Sequence, residues 1–137
     1  MKKLLLVPAL FIGIGIAQAQ NQPPNPPVQC ISSAVYEASA QGLTQLVAAV
    51  TGSKIYVCGY TLVGDATNRV GLVTGTGSNC ATGATNLTPL WAMVAQMVVT
   101  DSSTFYRGII TPASQALCIR SVLSASAQGI IYYSQFQ

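Results

Sequence analysis

The run Lys54 to Val63 (KIYVCGYTLV) does most to limit what this chain can fold into. It is rich in β-branched and aromatic residues, which favour a pleated strand over a helix. Read with period two, Ile55, Val57, Thr61 and Val63 lie on one face and Tyr56, Cys58, Tyr60 and Leu62 on the other. Both faces are largely apolar. Such a strand needs cover on both sides, so it belongs in the middle of a sandwich or at an interface.

The rest of the chain fits that setting. Leu43 to Val50 is apolar and stops at Thr51-Gly52-Ser53. Gly64 to Asn68 reads as a turn, Val70 to Thr76 as a strand, and Gly77 to Asn86 as a Gly/Thr/Asn loop. Ala116 to Leu123 is a further strand, Ser124 to Gly129 a turn, and Ile130 to Phe136 a closing strand. In that last strand Ile130, Tyr132 and Phe136 point one way and Ile131 and Tyr133 the other.

Leu90 to Val99 is two-sided. Thr88 and Pro89 suit the cap and first position of a helix. Val98-Val99-Thr100 and the turn at Asp101 to Thr104, followed by a strand-like Phe105 to Thr111, favour a β-hairpin instead. Seven to nine short strands with turns every 8–12 residues predict an all-β, antiparallel β-sandwich of jelly-roll type.

The first 29 residues stand apart. Lys2 and Lys3, an apolar run from Leu4 to Ala17, and the small-x-small site Ala17-Gln18-Ala19 form a bacterial-type signal peptide over residues 1–19. The apolar run is short for a bilayer span of about 20 residues, so no membrane span is expected after cleavage. Gln20 to Gln29 carries four prolines and reads as an extended linker. Residues 30–137 then form the sandwich domain.

Export makes the cysteines informative. Cys30, Cys58, Cys80 and Cys118 are even in number, without C-x-x-C spacing, in a chain with no histidine. Two disulfides are expected rather than a metal site. Of the three connectivities we take Cys30–Cys58 and Cys80–Cys118, the second stapling the Gly-rich loop to the penultimate strand.

The segments IYVCGYTLVG, GLVTGTGSNCATG, ALCIRSV and IIYYSQF together resemble a group of small, mostly uncharacterised β-domain proteins. These are associated with bacteriophage and prophage genes and with exported bacterial proteins. The resemblance spans most of Gln41 to Phe136, is sharpest at Gly75 to Cys80 and at Ala116 to Cys118, and implies a compact β-sandwich on a virion or cell surface. It brings no activity with it. The signal peptide is a departure from shell proteins that assemble in the cytoplasm.

Several function classes lack their residues. Without histidine, serine–histidine and cysteine–histidine catalysis cannot be built within one chain. G-x-S-x-G and S-x-x-K do not occur, and the acids are only Glu37, Asp65 and Asp101. Gly75 to Cys80 starts like a dinucleotide fingerprint but has Cys80 in place of the third glycine and no lysine of a phosphate loop. It reads as a loop needing positive backbone dihedrals. Asp65 and Asn68 are too few for calcium. Once Lys2 and Lys3 leave with the signal, net charge falls from +3 to +1, which argues against nucleic acid as a partner. We therefore expect no catalytic, cofactor or metal site.

Two expectations remain. A surface of Ser, Thr, Asn, Gln and Gly carries little charge to keep copies apart, so homo-oligomers or a larger assembly are expected. The leading reading is a non-enzymatic structural or surface protein: secreted, periplasmic, or on a virion or cell surface, phage-associated and self-assembling. The alternative is a secreted binding module for carbohydrate or a host or cell-surface protein. Its binding surface would use the aromatic residues Tyr56, Tyr60, Trp91, Tyr106 and Tyr133.

Overall fold

The computed structural model describes residues 28–38, 40–102, 108–124 and 126–137. The expected signal peptide over residues 1–19, the expected linker up to residue 27, and Tyr106 lie outside the described residues. Ten strands run in chain order: β1 (Ser32–Ala38), β2 (Gly42–Val47), β3 (Lys54–Gly64), β4 (Asn68–Thr76), β5 (Thr82–Asn86), β6 (Trp91–Met93), β7 (Met97–Asp101), β8 (Ile109–Ile110), β9 (Ala116–Ser121) and β10 (Ala127–Phe136). They form two antiparallel sheets of five, one ordered β1-β10-β3-β7 with β8 also on β3, the other β2-β9-β4-β5 with β6 also on β4.

Two pairs of short strands are each one interrupted edge strand. Along β4, β5 pairs with Val73 to Thr76 and β6 with Asn68 to Val70. Along β3, β7 pairs with Tyr60 to Gly64 and β8 with Tyr56 and Val57. Joined in this way, the strands nest: β4 with β5/β6, β3 with β7/β8, β2 with β9, β1 with β10. Four nested antiparallel pairs rolled into two sheets are a jelly roll, as expected.

Each of these edges carries a Thr-Pro dipeptide, Thr88-Pro89 at the break between β5 and β6 and Thr111-Pro112 just past the end of β8. Thr88 Oγ1 accepts from Leu72 N–H at 2.9 Å, and Thr88 N–H donates to Leu72 O at 3.3 Å. Thr111 Oγ1 accepts from Ile55 N–H and Thr111 N–H donates to Ile55 O, both at 3.0 Å. A threonine thus supplies both partners of one central-strand residue. Pro89 and Pro112, lacking an N–H, end the pairing there.

The core lies between the sheets. Tyr36, Ile55, Val57, Leu62 and Ile131 come from one sheet, and Val70, Leu72, Leu117 and Ile119 from the other. At the end of the core Asn68 is held in a polar cluster: its Nδ2 donates to Ser121 Oγ at 2.7 Å while its Oδ1 accepts from Arg69 N–H at 2.7 Å and Leu123 N–H at 3.0 Å. These bonds satisfy a buried amide that would otherwise be costly.

Three local expectations are corrected. Leu90 to Val99 holds two strands, β6 and β7, parted by a turn at Ala95-Gln96, and makes no hairpin: β6 and β7 join different sheets, and β7 and β8 lie end to end on β3 rather than pairing with each other. Gly77 to Asn86 is not all loop, since Ser78–Cys80 is a 3-10 turn and β5 follows. The left-handed conformations expected there are present at Gly77 (φ 76°), Asn79 (φ 53°), Cys80 (φ 54°) and Gly83 (φ 64°). Finally, the closing strand starts at Ala127, earlier than the expected Ile130.

Candidate functional site

The phase of β3 decides which side chains face out. Its pairing with β10 shifts between Tyr132 and Tyr133, which meet Gly59 and Val57, so Cys58 is an extra residue in a β-bulge. One extra residue reverses the alternation beyond it. The core side is therefore Ile55 and Val57 before the bulge but Tyr60 and Leu62 after it. This corrects the expected faces: Tyr56 and Tyr60 are on opposite sides of the sheet.

The aromatic residues consequently do not form one platform. Tyr56 is on the outer side, stacked on Phe136 with ring centroids 4.5 Å apart and planes 11° apart. Tyr60 is buried and meets Trp91 at 5.2 Å, tilted by 36°, at the core margin between the sheets. Tyr133 is half-buried and packs against the core. Burial, followed by the negative charge of Asp101, holds the Tyr60 hydroxyl above its ordinary pKa of 10.0. Burial likewise pushes Tyr36 up, and its hydroxyl has no hydrogen-bond partner among the described residues.

The cysteines pair as Cys30–Cys58 and Cys80–Cys118. The two bonds sit on the outsides of the two sheets and treat them differently. On the β2-β9-β4-β5 sheet, Cys80 and Cys118 are fully buried in a satellite cluster with Val73 and Ala116, and Leu43 packs against it. The 3-10 turn is held over β4 so closely that a Cβ on Gly75 would meet Cys80 Cβ at 2.9 Å. Farther along β4, Gly71 is covered by Leu90 and Pro89. That outer face is built over.

Among the described residues, the outer face of the β1-β10-β3-β7 sheet is covered only at one end. There Ser134 Oγ accepts from Ile31 N–H at 3.3 Å and donates to Gln29 O at 2.6 Å, while Cys30 reaches across to Cys58. The register places the remainder in rows across the strands. Val35, Ile130, Thr61 and Thr100 form one row, and Glu37, Gln128, Val63 and Val98 the next. Val35 is 81% exposed, Val98 55%, and Tyr132 and Phe136 41% each. An open depression between Val35, Glu37, Val63 and Gln128 runs over the backbone of Tyr36 and Gly129.

Sheets that face water normally put polar residues on that side. Here the solvent side of four adjacent strands carries valine, isoleucine, tyrosine and phenylalanine. The charged groups that the strand alternation places on it are Glu37 and Lys54, at opposite ends. Period-two alternation of Ile130, Tyr132 and Phe136 in the closing strand was a legible signal for this surface. Val35 and Val98 carried no such signal, because which face of β1 and β7 is covered depends on their partners.

The acidic residues are dispersed over different elements. Glu37 is on edge strand β1, Asp65 is in the exposed β3–β4 turn, and Asp101 pairs with Tyr60 on β7. Among the described residues no three Cys, Asp or Glu side chains come together to hold a metal ion, and no helix is long and apolar enough to cross a membrane. No protein-family model, curated protein or solved structure matches this chain.

Proposed function

We propose that this chain is an exported, non-enzymatic structural protein that builds a surface or particle, virion-associated or prophage-encoded, by self-association. One observation carries the reading: the jelly roll covers the outside of one sheet with a disulfide, a 3-10 turn and a proline loop, and leaves the outside of the other apolar and nearly uncharged. An apolar patch of that extent on a soluble domain is the usual mark of an interaction surface. The fold itself does not choose the role, because jelly rolls serve both shells and lectins. The two disulfides fit an oxidising compartment.

The test is sedimentation velocity of the exported protein over a wide concentration range. A defined oligomer or a discrete larger particle is the expected result. A monomer at every concentration that is retained on a glycan surface would replace this reading with the carbohydrate-binding one, in which exposed Tyr132 and Phe136 would stack on sugar rings.

A further inference from the structure

We infer that the interface is the outer face of the β1-β10-β3-β7 sheet, and that its occupant is the same face of a second copy, related by a two-fold axis lying between the two sheets. This rests on the self-association reading and gives it a location and a symmetry.

Area is the first argument. Ile31, Val35, Val98, Tyr132 and Phe136 are the large apolar residues most exposed on this side. At about 150–250 Å² per large side chain, their exposed fractions amount to roughly 550 Å². The half-buried Ile130, Val63 and Tyr56, together with Gln128, Thr61 and Thr100, bring the face toward the ~800 Å² that each partner gives to a standard interface. Two sheets stacked face to face at about 10 Å are also how these surfaces pack within one domain.

Charge is the second. Glu37 stands level with Gln128 and Lys54 level with Phe136. Eight residues of β10 separate the two levels, or about 26 Å at about 3.3 Å per residue. Among the described residues the face carries a single acid at one end and a single base at the other, an arrangement that is self-complementary. A two-fold axis bisecting the line between them sets Glu37 of each copy against Lys54 of the other, so the contact forms twice. Apolar rows fill the space between. A charged groove would suit a partner of opposite sign, and this face offers none.

The experiment uses the exported full chain with four surface variants and one photo-cross-linker. Val35→Glu and Tyr132→Glu place a charge in the apolar rows at exposed positions, where folding is least affected. Each is expected to shift the protein to monomer at concentrations where the wild type is associated. Glu37→Lys and Lys54→Glu are each expected to weaken association on the order of ten-fold, and the double swap to restore it, since exposed pairs of this kind are worth up to about 1 kcal/mol each. Benzoylphenylalanine at position 132 should cross-link to β1, β3 or β10 of another copy. Association that persists unchanged in all four variants would overturn the interface while leaving self-association standing. A wild type that never associates would overturn both. Cross-links from position 132 to residues 20–27 of the same chain, or to a different protein, would overturn the second copy as occupant. Circular dichroism of each variant separates lost association from lost fold.

Discussion

Removing the two disulfides one at a time separates chain entropy from native-state packing. Cys30–Cys58 closes a sequence separation of 28 and Cys80–Cys118 one of 38. In the chain-entropy model these loops are worth about 3.6 and about 3.9 kcal/mol at 25 °C. Entropy alone therefore makes the bonds nearly equivalent, and the structure breaks the tie. Cys80 and Cys118 are fully buried beside Val73 and Ala116. Replacing both by alanine leaves a void of about 40 Å³, worth roughly 1 kcal/mol at about 24 cal/mol per Å³. The bond also holds Asn79 and Cys80 in left-handed backbone, and Asn79 Oδ1 accepts from Gln45 N–H on edge strand β2 at 3.1 Å. In the other bond Cys58 is buried but Cys30 is only half-buried, and both lie outside the two core clusters, so about half that void is expected there. We expect Cys80→Ala/Cys118→Ala to cost about 5 kcal/mol or more and Cys30→Ala/Cys58→Ala about 4 kcal/mol. Urea unfolding with comparable slopes measures both. Equal costs, or a larger cost for the Cys30–Cys58 pair, would refute the claim that packing of the satellite cluster adds to the loop term.

Three further outcomes follow from particular contacts. Deleting Ile130 to Gln137 removes most of β10, which sits between β1 and β3 and pairs with both, so the product should lack a cooperative unfolding transition and be rapidly proteolysed. Tyr36→Phe should be neutral or stabilising by about 1 kcal/mol at pH 7, because it removes a buried hydroxyl that has no partner. With the folded pKa of Tyr36 raised above its ordinary 10.0, the unfolded state loses its proton first. Stability should therefore fall as pH rises beyond about 10, and thermal melts of the variant should show a shallower alkaline loss. Gly129→Ala would drive a Cβ into the Thr61 carbonyl and to 3.0 Å from the Tyr36 hydroxyl, and should cost at least about 3 kcal/mol. Gly83→Ala, with open space around it and φ of +64°, should cost only about 1 kcal/mol. Denaturant midpoints of the two variants compare them directly.

Fold class and the presence of two disulfides were readable from the chain, because each rests on local chemistry; which cysteines pair was a choice among three connectivities that the fold decided. Alternating β-branched and aromatic runs cut by Gly, Asn and Pro can only be short strands. An even set of cysteines without metal-ligand spacing reads as bridges. Even the two Thr-Pro positions, one at the β5–β6 break and one just past β8, are local signals, though the sequence alone does not say which strand each threonine serves. Pairing across distance is another matter. That β1 meets β10 and β2 meets β9 is set by burying both inner faces at once, a condition no window of ten residues contains. Leu90 to Val99 shows the same limit. Its strand character is local, but β6 and β7 part to different sheets because each completes an edge already begun by β5 or continued by β8. The bulge at Cys58 is the sharpest case. Ten residues of clean alternation assigned Tyr56 and Tyr60 to one face, and one unpaired residue opposite Tyr132 and Tyr133 separated them. The sequences of β3 and β10 determined that these strands would be apolar on both sides. Only the tertiary structure decided which apolar side is covered, because cover comes from segments distant in sequence: Cys80 and Leu90 close one sheet, and the outer rows of the other remain open.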